Sequence, residues 1–391
     1  MVRKLLTGFL VVSISISLAI AQTIPETFFG MTRLSPGVKC PLDFGMTRSW
    51  DFKNISWAYI NSAPNVFDFT YFDIFLAQNK SRGPNLIYTF GRTPQWASTK
   101  ALAQTPYGPG QCAPPSDLKD WDKFVRTIVT RAAGRIKYWE LWNEPDLERY
   151  FCGTPEDFMP MAQHASAIIR QIDPDAVILS PGTTAGAARW LSSFLTLGGA
   201  RYFDAVAFHG YNRTAEGILS TIQQYKAVMR AQGIESEAML DTEASWGSIK
   251  TNPLTMEQQA AFISKFYLLQ WSAGISSFVW YSYENPDFGR LVDANFNPDP
   301  AAVAYSQTRL WMLGATMTTP CAKDTKNVWR CGLSRAGGYE AQVIWNANSP
   351  MTTTFPSRFT RYHDLTGSTI PITNNTVTIG DSPVLVETRA L

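Results

Sequence analysis

The residues of this 391-residue chain that could do chemistry are carboxylates set among aromatic and amide side chains. Trp139-Glu140-Leu141-Trp142-Asn143-Glu144-Pro145 places one glutamate directly after an asparagine, and Leu240-Asp241-Thr242-Glu243 supplies another. One carboxyl group that donates a proton and one that attacks are what glycosidic bond cleavage needs. Two neighbouring carboxylates cannot both ionise cheaply, so one keeps its proton near neutral pH. Arg48 and the hydroxyl of Tyr211, in His209-Gly210-Tyr211, could hold the other ionised.

Other acids and cations compete for these roles. Asp241 lies two residues before Glu243 and is expected on the same face of a strand. Glu140 is expected deeper, in a structural ion pair, and Glu284 is a reserve candidate. Arg33 and Arg92 compete with Arg48, and His164 reads as a packing or surface residue of a helix. Of the 13 tryptophans, Trp246 and Trp280 are the best placed to stack on sugar rings, with Trp96 a third. Only 3 histidines occur, with no C-x-x-C or H-E-x-x-H, so no zinc site is expected. The formal charge of +2 comes from Arg3 and Lys4 alone. The balanced remainder argues against a nucleic-acid partner.

Strands followed by helices must position these groups. Apolar runs at 28–32, 45–50, 85–90, 136–142, 176–180, 205–209, 238–242 and 277–281 read as eight strands. Thr154-Pro155-Glu156-Asp157 and Thr255-Met256-Glu257-Gln258 read as capping boxes that start helices. The alternation predicts an α/β fold, a (β/α)8 TIM barrel over residues 22–315, in which strand C-termini carry the reactive groups. A doubly wound sheet is the alternative, but no G-x-G-x-x-G follows the first strand. Glu144, Glu243, His209 and Arg48 then all fall at strand ends.

After Gly314 the helical period disappears. Short strands at 328–334, 339–345, 352–355, 376–379 and 384–387 predict a small antiparallel β-sandwich-like domain over 316–391, packed tightly on the barrel. The residues just after the leader could add a strand to it. At the other end, Arg3-Lys4, an apolar run to Ile20 and Ala19-Ile20-Ala21 predict a signal peptide over 1–21, hence a secreted protein, extracellular or periplasmic. No membrane anchor is expected. An exported chain can keep disulfides; Cys321–Cys331 is the first expected pair, Cys112–Cys152 the second, and Cys40 is left over.

Trp142-Asn143-Glu144-Pro145 resembles the strand-four motif of the clan A glycoside hydrolases, retaining TIM-barrel glycosidases, with family 39 and related groups the nearest. Glu243 stands where that clan's strand-seven nucleophile is expected. His209-Gly210-Tyr211 is similar to its strand-six His-x-Tyr, and Trp280 to its strand-eight sugar platform. The resemblance implies Glu144 as general acid/base and Glu243 as nucleophile, with Asn143 on the sugar's 2-hydroxyl. Arg48, His209, Tyr211, Trp246 and Trp280 are expected around a carbohydrate substrate; a monomer is expected, and no metal or organic cofactor, since side chains supply the proton relay and the nucleophile. The alternative function is a non-catalytic carbohydrate-binding protein built on the same barrel.

Overall fold

A computed structural model of the protein describes residues 22–80 and 83–390, so the predicted leader lies outside the described residues. The strands are β1 (Phe29–Met31), β2 (Met46–Arg48), β3 (Asn85–Thr89), β4 (Tyr138–Glu140), β5 (Val177–Leu179), β6 (Ala205–His209), β7 (Ala238–Ala244) and β8 (Ser277–Trp280). Each pairs in parallel with the next; β1 pairs with β8, and Leu179 opposite Ala205 joins β5 to β6, which closes the barrel. Helices α1 (Thr70–Lys80), α2 (Leu118–Ala132), α3 (Pro155–Ile172), α4 (Ala188–Thr196), α5 (Ile218–Ala231), α6 (Met256–Ser272) and α7 (Pro300–Met312) follow β2 to β8 in turn. The β1–β2 connection is a loop, so the first unit lacks a helix.

The helices start where the sequence supplies caps. Thr154 accepts from the Asp157 amide and Asp157 from the Thr154 amide, and Thr255 with Gln258 repeats the arrangement. Asp299 caps α7 by accepting from the amides of Ala301 and Ala302, ahead of Pro300 at the first position. Each such cap stabilises its helix by about 1 kcal/mol.

Alternation along the strands builds two interiors. Met46, Ile87, Leu179, Ala205, Ala207, Leu240 and Val279 point inward and form the apolar floor of the barrel. The other parity, including Leu86, Tyr88, Trp139, Ile178, Phe278 and Trp280, packs outward against the helices. Two residues further along the strands the interior turns polar, with Arg48, Thr89, Glu140 and Thr242 all buried. The polar site therefore rests on a rigid apolar floor.

The C-terminal part is antiparallel, as expected. Strands β9 (Thr316–Lys323), β10 (Val328–Arg335), β11 (Tyr339–Asn346), β12 (Met351–Thr354), β13 (Arg361–His363), β14 (Thr369–Pro371), β15 (Thr376–Ile379) and β16 (Val384–Glu387) form two sheets. One runs β9-β10-β11-β16-β13-β14 and the other pairs β12 with β15. Three strands escape the sequence pattern because they are polar or half-exposed: β9, β13 and β14. Instead of a further strand, the segment after the leader contributes one bridge, Thr23 opposite Thr316.

Alternation here explains the packing on the barrel. Val328, Ile344, Val384 and Val386 face the small sheet with Phe355, Phe359, Val377 and Ile379. Trp329, Cys331, Leu333, Ala341, Val343 and Trp345 face the other way and join the same core as the barrel's helices. Disulfides link Cys321 to Cys331 and Cys112 to Cys152, and Cys40 is buried and free of a disulfide. No helix among the described residues is long and apolar enough to cross a membrane.

Candidate active site

Arg48, at the end of β2, is the hub. Its Nε donates to Glu140 Oε2 at 2.7 Å, Nη1 donates to Glu243 Oε2, and Nη2 donates to Asn143 Oδ1 at 2.8 Å. Burial opposes the guanidinium charge, but Glu140 and Glu243 more than offset this and raise its pKa. Glu140 also accepts from Thr89 Oγ1 at 2.7 Å and from Thr242 Oγ1 at 2.6 Å, so it is fully engaged beneath the site as a structural acid. Arg33 instead donates to Asn79, and Arg92 pairs with Asp51.

Glu144 reaches the mouth through a left-handed backbone conformation (φ 41°), its amide donating to Gly182 O at 2.7 Å. Its Oε1 lies 2.9 Å from His209 Nδ1. The other ring nitrogen, Nε2, lies 3.2 Å from Arg48 Nη2, which can only donate. Nε2 must therefore accept, and the ring proton sits on Nδ1, aimed at Glu144. Burial and the Arg48 charge oppose a charged His209 ring, but Glu243 and Glu144 favour it strongly enough to raise its pKa. Gly182 makes room for this contact: a Cβ there would stand 2.6 Å from Glu140 Oε1 and 2.7 Å from His209 Nε2.

Glu243 accepts through both oxygens, Oε1 from the Tyr211 hydroxyl at 2.9 Å and Oε2 from Arg48. Burial raises its pKa, with His209 and Arg48 pulling it back down and Glu144 adding to the rise. Burial also pushes the Tyr211 hydroxyl well above the ordinary tyrosine value, so it remains a donor. Both Glu243 oxygens therefore accept, one from a hydroxyl and one from a guanidinium. Glu144 Oε1 faces His209 Nδ1, and its Oε2 lies 3.9 Å from Arg149 Nη2 at the edge of the site.

One oxygen of Glu144, one of Glu243 and a His209 ring nitrogen lie within 4.8 Å of one another. Such a cluster could hold a cation, but Arg48 already places its positive charge against Glu243 and His209.

Asp241 does not share the face of Glu243, contrary to the alternation argument. Between Asp241 and Ala244 the register with β8 slips by one residue, a β-bulge. The extra residue lets Thr242 and Glu243 both reach the interior. Asp241 points outward, accepting from the Gly210 amide at 3.0 Å and Gln270 Nε2 at 2.7 Å, and burial pushes its pKa up to about 7.

The two tryptophans expected at the mouth are not there. Trp280 is 0% exposed and Trp246 2%, and they pack edge to face 5.0 Å apart beside Phe262 of α6. Outward parity on β8 sends Trp280 to the helix layer. The next residue, Tyr281, takes the place at the mouth and donates to Asp51 Oδ2 at 2.8 Å. Trp96 is half-buried and donates to Asn61 O. Glu284 accepts from the Leu34 and Ser35 amides and fastens the β1–β2 loop. His164 meets Asp122 on the outer face of α3. Sequence reasoning missed Asp51, Tyr107 and Tyr150, which line the mouth from loops without a motif; Arg92, weighed there only as a rival of Arg48, joins them.

The profile of the glycosyl hydrolase catalytic core family matches residues 76–305, well over half of the chain. The chain belongs to the glycosyl hydrolase catalytic core family. A curated β-xylosidase from Caldicellulosiruptor saccharolyticus is 26% identical over 113 residues, which cover 26% of this chain and 22% of that protein's length. The chain thus aligns with about a fifth of that relative. Among solved structures, a family 39 glycoside hydrolase from Bacteroides cellulosilyticus WH2 superposes with a TM-score of 0.74 at 17% identity, covering 93% of this chain and 82% of its own. A family 39 β-xylosidase from Caulobacter crescentus gives 0.67 at 17% identity, covering 95% and 98%. These likenesses establish the fold of this catalytic-core member as a barrel with an appended β domain.

Proposed function

We propose that the protein is a secreted retaining glycoside hydrolase acting by double displacement on an oligo- or polysaccharide. The observation that supports the mechanism is that Glu144 and Glu243 share the barrel mouth with one oxygen of each within 4.8 Å of the other, a nearest-atom approach shorter than the separation of the carboxyl groups themselves. Retaining pairs stand about 5–5.5 Å apart, whereas inverting pairs leave about 6.5–9.5 Å for a water.

Glu144 protonates the leaving oxygen from Oε2 while Glu243 attacks the anomeric carbon to form a glycosyl–enzyme ester. Glu144, now ionised, then takes a proton from water, which attacks the same carbon and releases Glu243. Arg48 and Tyr211 orient Glu243 and hold it as a carboxylate. His209 fixes which Glu144 oxygen carries the proton. Asn143 gives its oxygen to Arg48, so its amide nitrogen is free to turn to the sugar's 2-hydroxyl, a contact that strengthens in an oxocarbenium-like transition state. No step requires a metal or organic cofactor.

The relatives named as β-xylosidases make β-xylosides the first substrates to try. The division into a catalytic barrel (22–315) and a C-terminal domain (316–391), the leader over 1–21, export and a monomeric state belong to the same reading. A panel of 4-nitrophenyl glycosides tests it: hydrolysis of at least one, abolished in Glu243→Gln, is the expected result. Sugar binding without turnover, unchanged in Glu243→Gln, favours the binding-protein alternative.

A further inference from the structure

The mouth of the barrel is uneven. From β8 round to β4 it is a continuous run of contacts. Tyr281 donates to Asp51 Oδ2, and Asp51 Oδ1 pairs with Arg92. The Arg92 guanidinium stands 3.5 Å from the Tyr107 ring centre and 4.5 Å from that of Trp50. Tyr107 and Tyr150 meet through their hydroxyls at 3.3 Å, and the Cys112–Cys152 disulfide ties their two loops together. Past Tyr150 this wall stops: the Arg149 side chain is 55% exposed, and at Gly186, after β5, a Cβ would have no neighbour within 4 Å.

The closed arc lies on the nucleophile's side. Tyr211 donates to Glu243, its ring stands 6.2 Å from Phe288, and Phe288 stands 6.4 Å from Tyr281, so the arc begins beside Glu243. Asp146, two residues after Glu144, accepts from the amide and hydroxyl of Thr184, on the side of β5. The sugar attacked by Glu243 is therefore enclosed, and the leaving group departs past Glu144 over the open side.

A carboxylate beside a nucleophilic carboxylate is unfavourable, and both Asp51 and Arg92 sit in the left-handed region at φ 62°. Such backbone is uncommon in a non-glycine residue and persists where the surroundings impose it, often at functional sites. A carboxylate has about four acceptor positions. Arg92 and Tyr281 occupy two, and two neighbouring sugar hydroxyls fit the remainder.

We propose that Asp51, fixed by Arg92 and Tyr281, receives the hydroxyls of the sugar bound over Glu243 at the closed end of a pocket, so that the protein removes single terminal sugars instead of cutting within chains. This rests on the glycosidase reading above. It assigns Asp51 as the specificity-determining acceptor.

Two measurements test it together. The first uses the best 4-nitrophenyl glycoside of the panel and its 3- and 4-deoxy analogues, on the natural protein and Asp51→Asn. Removing a hydroxyl held by a charged acceptor is expected to lower kcat/KM about 10- to 100-fold in the natural protein, and by much less in Asp51→Asn. Equal losses in both proteins overturn the assignment. The second follows early products from a reducing-end-labelled hexasaccharide of the same sugar with the natural protein, independent of whether the variant folds. Labelled pentasaccharide with free monosaccharide is expected. Labelled di- or trisaccharide at first turnover overturns the pocket while leaving the hydrolase reading intact; no hydrolysis of any glycoside overturns both.

Discussion

His209 Nδ1 lies 2.9 Å from Glu144 Oε1, and this contact engages one oxygen of Glu144 and leaves the other toward the mouth. His209→Ala leaves Glu144 free to present either oxygen and removes the donor that distinguishes them. For substrates with poor leaving groups, kcat/KM is expected to fall by about 100-fold, the scale of general-acid assistance. For 2,4-dinitrophenyl glycosides, which need little protonation, the loss should be far smaller. Equal losses on both substrates would show that His209 does not act through the acid.

Arg48→Met leaves Glu140 buried beneath the site without its cation. Breaking a buried pair by removing one partner costs about 3–5 kcal/mol, and here one cation serves two acids. Urea unfolding is expected to show a loss of at least that size. Arg48→Lys should recover part of the stability but little of the activity, because an ammonium cannot reproduce the planar fork that reaches Glu140, Glu243 and Asn143.

Asp241 gives stability a pH dependence of defined sign. Burial holds its carboxyl protonated up to about pH 7 in the folded chain, whereas an unfolded aspartate ionises near about 4. Between those values the folded chain binds the extra proton, so this group's contribution falls as pH rises and levels off above pH 7. Gln270 Oε1 is buried without a partner, and a turned amide would accept from an asparagine at 241. Asp241→Asn is therefore expected to fold and to lose about 2–3 kcal/mol less than the natural protein between pH 5 and pH 8. Parallel stability curves for the two proteins would contradict this.

Residues 316–391 expressed alone are expected to remain unfolded or aggregate. One face of the six-stranded sheet, with Trp329, Leu333, Val343 and Trp345, shares the barrel's core and would be left in water. Trp345 also donates to Glu216 just before α5, and the Cys321 amide donates to the Ser272 hydroxyl at the end of α6. A cooperative thermal transition from the isolated fragment would refute this.

The barrel was legible in the sequence because its strands are apolar on both faces and its helices carry their own caps. The candidate carboxylates followed from strand-end position. What strict alternation could not reveal is the bulge in β7, which separates Asp241 from Glu243, and the outward parity of β8, which buries Trp280 and brings Tyr281 to the mouth. Polar strands β9, β13 and β14 carry no pattern, since the sheet they join covers only part of each with apolar neighbours. The residues that close the pocket, Asp51, Arg92, Tyr107 and Tyr150, come from three loops, after β2, β3 and β4, that only the fold brings together.

The central claim is that Glu144 and Glu243 work as a retaining pair. Proton NMR of the first product released from a β-glycoside, recorded before mutarotation, tests it most directly. The account predicts that the β-anomer appears first and the α-anomer grows in later. An α-anomer as first product would show inversion and contradict the double displacement.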